Sequence, residues 1–159
     1  KDDDQVGLRI FSTGIAAQEP TDHIDLLPVA PIGGQREPMR TRIRSLVPTQ
    51  GTPLYTVTAD SYRDMQEGFD PARINAVVLL TDGMNDDPRN DDLEGLLETL
   101  RANTEGGSTT PVRVFTIAYG DDADLGTLRR IAEATNAAVY DASDPRSIQK
   151  VFTAVLSNF

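Results

Sequence analysis

Two periods of apolar residues alternate along the chain, and the switches between them mark its elements. Val6, Leu8 and Ile10 alternate with Gly7, Arg9 and Phe11, predicting a strand of period 2 that ends near Ser12. "STGIAAQEPTD" reads as a connection to a second strand at His23 to Val29, and the two are expected to pair as an antiparallel hairpin. Pro28 and Pro31 place that second strand at a sheet edge, because proline has no N–H to give to a ladder. "EPMRTRIRSLVPTQG" predicts a short helix from Pro38 to about Leu46, stopped before Pro48.

The next helix starts at "TPLYTVTADSY". Thr52 can cap it, and Pro53 suits the first helical position, where a missing N–H costs nothing. Leu54, Thr58, Ser61 or Tyr62, and Met65 fall on one face. From Ile74 the chain alternates strand and helix: a strand to Thr81, a helix carrying Leu93, Leu96, Leu97 and Leu100, and the loop "TEGGSTTP". A strand over Val112 to Tyr119 follows, then a helix with Leu125, Leu128, Ile131 and Ala132 that stops near Asn136. Val139 and Tyr140 make a short strand. Asp144 and Pro145 open a last helix, in which Ile148, Val151, Phe152, Val155, Leu156 and Phe159 keep a 3.6-residue spacing. Apolar strands separated by helices predict an α/β fold: a doubly wound, mostly parallel sheet covered on both faces, in one domain.

Composition narrows the chemistry. The 159 residues carry 25 acidic against 15 basic side chains, a formal charge of −10, which argues against a nucleic-acid partner. No apolar run approaches the ~18–20 residues of a membrane span. Absence of cysteine excludes disulfides and thiolate metal sites, and a single histidine, His23, excludes a two-histidine site within one chain. His23, in "TDHIDLLPV", reads as an ordinary strand-start residue.

One pattern asks for an explanation. The apolar run Ala76 to Leu80 reads as buried on both faces, yet it runs directly into Thr81, Asp82 and Gly83. Ligands of open α/β sheets bind outside the carboxyl ends of the strands, and that is where Asp82 stands. Thr52, thirty residues earlier, precedes the helix leading into this strand and is a candidate for the same edge. A hydroxyl, a carboxylate and water suit a hard cation such as Mg²⁺ or Mn²⁺. Asp-Gly is equally a common turn pair, in which the carboxylate caps nearby N–H groups. Both readings stand on the residues alone.

"GTPLYTVTADSY", "NAVVLLTDGMND" and "VRVFTIAYGDDADLGTLRRIAEATNAAVYDASDPRSIQKVF" in that order resemble the later two-thirds of a von Willebrand factor type A domain, bacterial type. "DDQVGLRIFST" is similar to that family's second strand. The resemblance implies a mostly parallel sheet with one antiparallel edge strand and helices on both faces. It also implies a metal-ion-dependent adhesion site built from three loops, in which Thr52 is the second-loop ligand and Asp82, in "LTDG", the third-loop ligand. The cation, Mg²⁺ or Mn²⁺, would capture a carboxylate of a protein partner, and catalysis is not usual for the fold. The family's first-loop motif, D-x-S-x-S, does not occur in these residues. It follows the family's first, central strand, which would lie upstream of Lys1, so the chain reads as an N-terminally incomplete domain. Without that strand the sheet centre is left unpaired, which would favour self-association.

The acidic stretch "DGMNDDPRNDD" lacks the spacing of a calcium loop. Asp91 and Asp92 are expected to favour the next helix start, and Asp124 to cap the one after "YGDDAD". Two rival functions are a structural scaffold with a degenerate site and a Mg²⁺-dependent phosphoryl-handling enzyme using Asp82. The second lacks a phosphate-cradling GxxxxGK[ST] loop, and "IGGQREP" is not expected to open a helix directly after a buried strand. The alanine-rich, cysteine-free style resembles secreted or membrane-anchored bacterial members of the family, so an extracytoplasmic location is expected.

Overall fold

Gln5–Phe11 (β1) and His23–Pro31 (β2) pair antiparallel, with Phe11 opposite His23 and Arg9 opposite Asp25. A computed structural model describes these and the rest of residues 1–15, 22–49, 51–104 and 109–157. The described residues fall into two compact units, Lys1–Pro53 and Leu54–Phe159. Parts of the expected β1–β2 connection and of the "TEGGSTTP" loop, together with Phe159, lie outside the described residues.

In the first unit the β1–β2 register shifts on either side of Leu8. Gly7 sits at this irregularity because a Cβ there would meet Val29 Cγ2 at 3.0 Å and the Leu27 carbonyl at 3.2 Å. Across the hairpin the Arg9 guanidinium makes a two-pronged bond to Asp25, at 2.6 and 3.0 Å, which lowers the carboxyl's pKa despite partial burial. Helix α1 (Ile32–Arg44) differs from expectation. It starts directly after β2 and carries Pro38 inside it, where the sequence places the helix start. The amides of Ile32 and Gly33 are taken by the carbonyls of Asp4 and Asp2, at 2.8 and 3.1 Å. Buried Gln35 donates from its amide nitrogen to the carbonyls of Val6, Pro28 and Ala30, which anchors the helix to both strands. "IGGQREP" thus does open a helix behind a strand, but β2 is half-exposed and the first N–H groups already have carbonyl partners. Two of the amides that a phosphate would use at this helix start are therefore already engaged.

The second unit alternates as expected: α2 (Leu54–Glu67), β3 (Asn75–Thr81), α3 (Leu93–Ala102), β4 (Val112–Tyr119), α4 (Leu125–Ala134), β5 (Val139–Ala142), a 3₁₀ turn at Pro145–Ser147, and α5 (Ile148–Leu156). The three strands are parallel in the order β3-β4-β5. Alternation along β4 shows that helices cover both of its faces. Thr116 Oγ1 donates to the Leu128 carbonyl of α4 at 2.9 Å, whereas the neighbouring Ile117 is buried with Val151 and Val155 of α5. Leu97, Leu100, Val114, Leu128 and Ile131 are fully buried.

The strands form two sheets, β1-β2 and β3-β4-β5, where one sheet with an antiparallel edge strand is expected from the resemblance. The central strand that would join such a sheet is not among the described residues. Among the described residues β3 pairs only with β4, and its apolar run is not buried on both faces. Val78 is 42% and Leu80 43% exposed, while Leu79 between them is buried. An unbroken apolar run reports strand burial only when both faces find a cover.

Candidate functional site

The turn after β3 decides what Asp82 does. Buried Thr81 closes it: the Gly83 amide donates to Thr81 Oγ1 at 3.3 Å. Asp82 itself is exposed and makes no side-chain hydrogen bond or ion pair among the described residues. Gly83 is not one of the described glycines with positive φ, which are Gly14, Gly51 and Gly120. The Asp-Gly pair is therefore neither a carboxylate cap nor a turn that demands glycine. Asp82 presents an uncommitted carboxylate at the carboxyl end of a parallel strand.

The acidic stretch behind it folds onto the first turn of α2. Asn85 Oδ1 accepts from the Tyr55 amide at 3.3 Å, so this N–H of the helix start is satisfied from the β3–α3 loop. Thr56 Oγ1 donates to Asp87 Oδ2 at 3.1 Å and accepts from Asn90 Nδ2 at 3.0 Å. Asn85 Nδ2 donates to the Asn90 carbonyl at 2.9 Å. Asp87, with a side chain only 1% exposed, also accepts from the amide and Nε of Arg89, at 3.0 and 3.3 Å. Asp92 caps α3 by accepting from the Gly95 amide at 2.9 Å, as expected of an acidic residue at a helix start. Asn85, Asp87, Asn90 and Asp92 are thus spent on the loop and helix start, and among the described residues no three acidic side chains of the stretch group as metal ligands.

The loop after β4 behaves alike. Asp124 caps α4, accepting from the Thr127 amide at 3.0 Å and the Thr127 hydroxyl at 2.6 Å. These bonds, the hydroxyl's foremost, lower its pKa. Burial raises the pKa of the Tyr55 phenol, with the Thr127 hydroxyl acting in the opposite sense.

Thr52 belongs to the first unit and Asp82 to the second. α2 begins at Leu54, and it is Asn85, not Thr52, that takes the Tyr55 N–H. Asp82 suits a hard cation by chemistry and by its lack of partners. Among the described residues, however, no group of three or more His, Asp or Glu side chains could hold a metal ion, so a complete shell of about six oxygens needs donors beyond these carboxylates.

The sequence reading missed Asn85, Asp87, Asn90 and Thr56. A local signal existed in two Asx turns, with the Arg89 amide on Asp87 and the Asp92 amide on Asn90. The link to Thr56 and Tyr55 is long-range and leaves no periodic trace.

Comparison with known proteins agrees with this architecture. The profile of the von Willebrand factor type A domain matches residues 1–154. The chain belongs to this family. Domains of the family commonly mediate protein binding. No match was found among curated proteins. Among solved structures, a von Willebrand factor type A protein from Catenulispora acidiphila superposes with a TM-score of 0.71 at 19% identity, covering 98% of this chain and 33% of that one. An aerotolerance-related membrane protein from Bacteroides fragilis gives 0.65 at 16% identity, covering 98% and 80%. The conserved hypothetical protein BatB from Bacteroides thetaiotaomicron gives 0.63 at 17% identity, covering 99% and 80%. At these identities the likeness concerns the fold.

Proposed function

We propose that this von Willebrand factor type A domain is a non-catalytic protein-binding module whose partner is captured through a divalent cation, Mg²⁺ or Mn²⁺, at Asp82. The observation that carries the reading is the uncommitted, exposed Asp82 carboxylate, left so because Thr81 closes the turn. Asp82 would act as an oxygen ligand, directly or through water. A cation bound there would supply an electrophilic position for a carboxylate of the protein partner. Thr52 is kept as a second ligand on its motif match alone. Remaining oxygen donors would come from a first-loop segment of the kind the family carries. Location outside the cytoplasm, in a secreted or membrane-anchored protein, is part of the proposal. Support comes from the fold shared with an aerotolerance-related membrane protein. No helix among the described residues is long and apolar enough to cross a membrane.

Calorimetric titration of the full-length protein with Mg²⁺ and Mn²⁺ tests the reading. Saturable binding that disappears in Asp82→Ala and weakens in Thr52→Ala is expected, and equal binding by Asp82→Ala removes that residue from the site. The scaffold reading, with a degenerate site, is favoured by the absence of a three-ligand cluster among the described residues. It predicts no saturable binding in any of these proteins.

A further inference from the structure

We infer that Asp82–Gly83 is a site of spontaneous modification, at which aspartate isomerises to isoaspartate through a cyclic imide, and that the Thr81 hydroxyl restrains the reaction. The inference holds whether or not a cation binds at Asp82.

The reaction needs a side-chain carboxyl that can reach the amide nitrogen of the next residue. The Gly83 nitrogen loses its proton and bonds to Asp82 Cγ, and the carboxyl's hydroxyl leaves with a proton as water. Water then opens the imide ring. Cleavage at the side-chain carbonyl restores aspartate, whereas cleavage at the main-chain carbonyl gives isoaspartate. Mass is unchanged, but the main chain is one carbon longer and the carboxylate stands directly on Cα.

Glycine has no Cβ to obstruct the approach to its nitrogen, and no other aspartate or asparagine of the chain is followed by glycine. Asp82 is exposed and makes no side-chain hydrogen bond or ion pair among the described residues, so no partner holds its carboxyl away. It lies just past β3, outside any strand or helix. Asp60 shows the contrast. It too precedes a small residue, Ser61, but both lie inside α2, and its carboxylate is bonded to Arg63 at 2.6 Å.

One bond opposes the reaction. The Gly83 amide donates to Thr81 Oγ1 at 3.3 Å. This keeps the proton on the nitrogen, and a turn closed by a threonine hydroxyl fixes the orientation of the peptide it spans. Attack on Asp82 Cγ must break that bond first. An ordinary hydrogen bond contributes about 1 kcal/mol, which corresponds to about fivefold in rate.

The experiment is a timed incubation of the full-length protein at neutral pH, followed by trypsin digestion. The tryptic peptide Ile74–Arg89 holds Asp82, Asp86 and Asp87, and electron-transfer fragmentation shows which of them carries the extra main-chain carbon. Isoaspartate is expected at residue 82, accumulating about fivefold faster in Thr81→Val. Thr81→Ser, which keeps the hydroxyl, is expected to match the parent, and Gly83→Ala, which adds a Cβ, to be slower. The synthetic Ile74–Arg89 peptide has no fold to hold the turn and is expected to isomerise faster than the parent. It keeps the test open should Thr81→Val fail to fold. Absence of isoaspartate at residue 82 from both the parent and Thr81→Val would overturn the site. Equal rates in the parent and Thr81→Val, or in the parent and the free peptide, would overturn the restraint by Thr81.

Discussion

The amide of Gly83 donates to the hydroxyl of Thr81, 3.3 Å away, and so the turn at the end of β3 is made without the carboxylate between them. This answers why an apolar strand should run into an aspartate: the turn does not need it. Asp82→Ala is accordingly expected to change stability by less than about 0.5 kcal/mol, as for an exposed residue without partners. Thr81→Val leaves a buried acceptor position empty and is expected to cost about 1 kcal/mol. Urea unfolding of the two variants checks this, and a larger loss for Asp82→Ala would restore the turn-cap explanation.

A second threonine repairs the sheet. Pairing between β4 and β5 begins at Thr116 opposite Val139, so the Val114 amide has no β5 partner. It donates instead to buried Thr135 Oγ1, at 2.9 Å, while that hydroxyl donates to the Ala132 carbonyl at 3.1 Å. Thr135→Val is expected to destabilise by about 1–3 kcal/mol, the cost of stranding a buried donor. Chemical denaturation against the parent protein measures it.

Asp124 makes a pH-dependent contribution. Its folded pKa lies below the ordinary 3.8 because the Thr127 hydroxyl and amide favour the charged form. A depressed carboxyl stabilises the fold fully above its unfolded pKa, and the contribution is lost as pH falls through the folded value. Asp124→Ala should therefore cost about 1 kcal/mol at pH 7. The gap between variant and parent should narrow below pH 3.8. Thermal unfolding across pH 2 to 7 follows both proteins.

Val78 and Leu80 are exposed on a strand that, among the described residues, pairs on one side only, a template for pairing with another chain. The 159-residue chain alone is expected to self-associate, and Val78→Lys with Leu80→Lys to reduce this. Sedimentation velocity at several concentrations separates the outcomes, and a monomeric parent chain would contradict the expectation.

Much of this was legible in the chain. Val112 to Tyr119 forms the predicted strand, and Asp92 and Asp124 cap the predicted helices, because strand runs and helix caps are local signals. Helix α1 starts at Ile32, earlier than the sequence predicts. Pro38 reads as a helix opener, whereas the bonds that start the helix come from Asp2, Asp4 and the two strands. The apolar run predicts Val78 and Leu80 to be buried, yet both are exposed, because such a run does not say whether its second face has a cover. The Asp87 network escaped because it joins segments some thirty residues apart. Asp82 follows the last residue of β3, a position the apolar run predicts, but only the structure shows that Thr81 leaves its carboxylate uncommitted.

Thermal unfolding of the full-length protein with and without Mg²⁺ or Mn²⁺ tests the cation claim most directly. At about 100 times its dissociation constant, a cation that binds only the folded state adds about 2.7 kcal/mol. The account predicts a raised midpoint in the parent protein and none in Asp82→Ala. A midpoint that ignores the cation, or one that rises equally in Asp82→Ala, would contradict it.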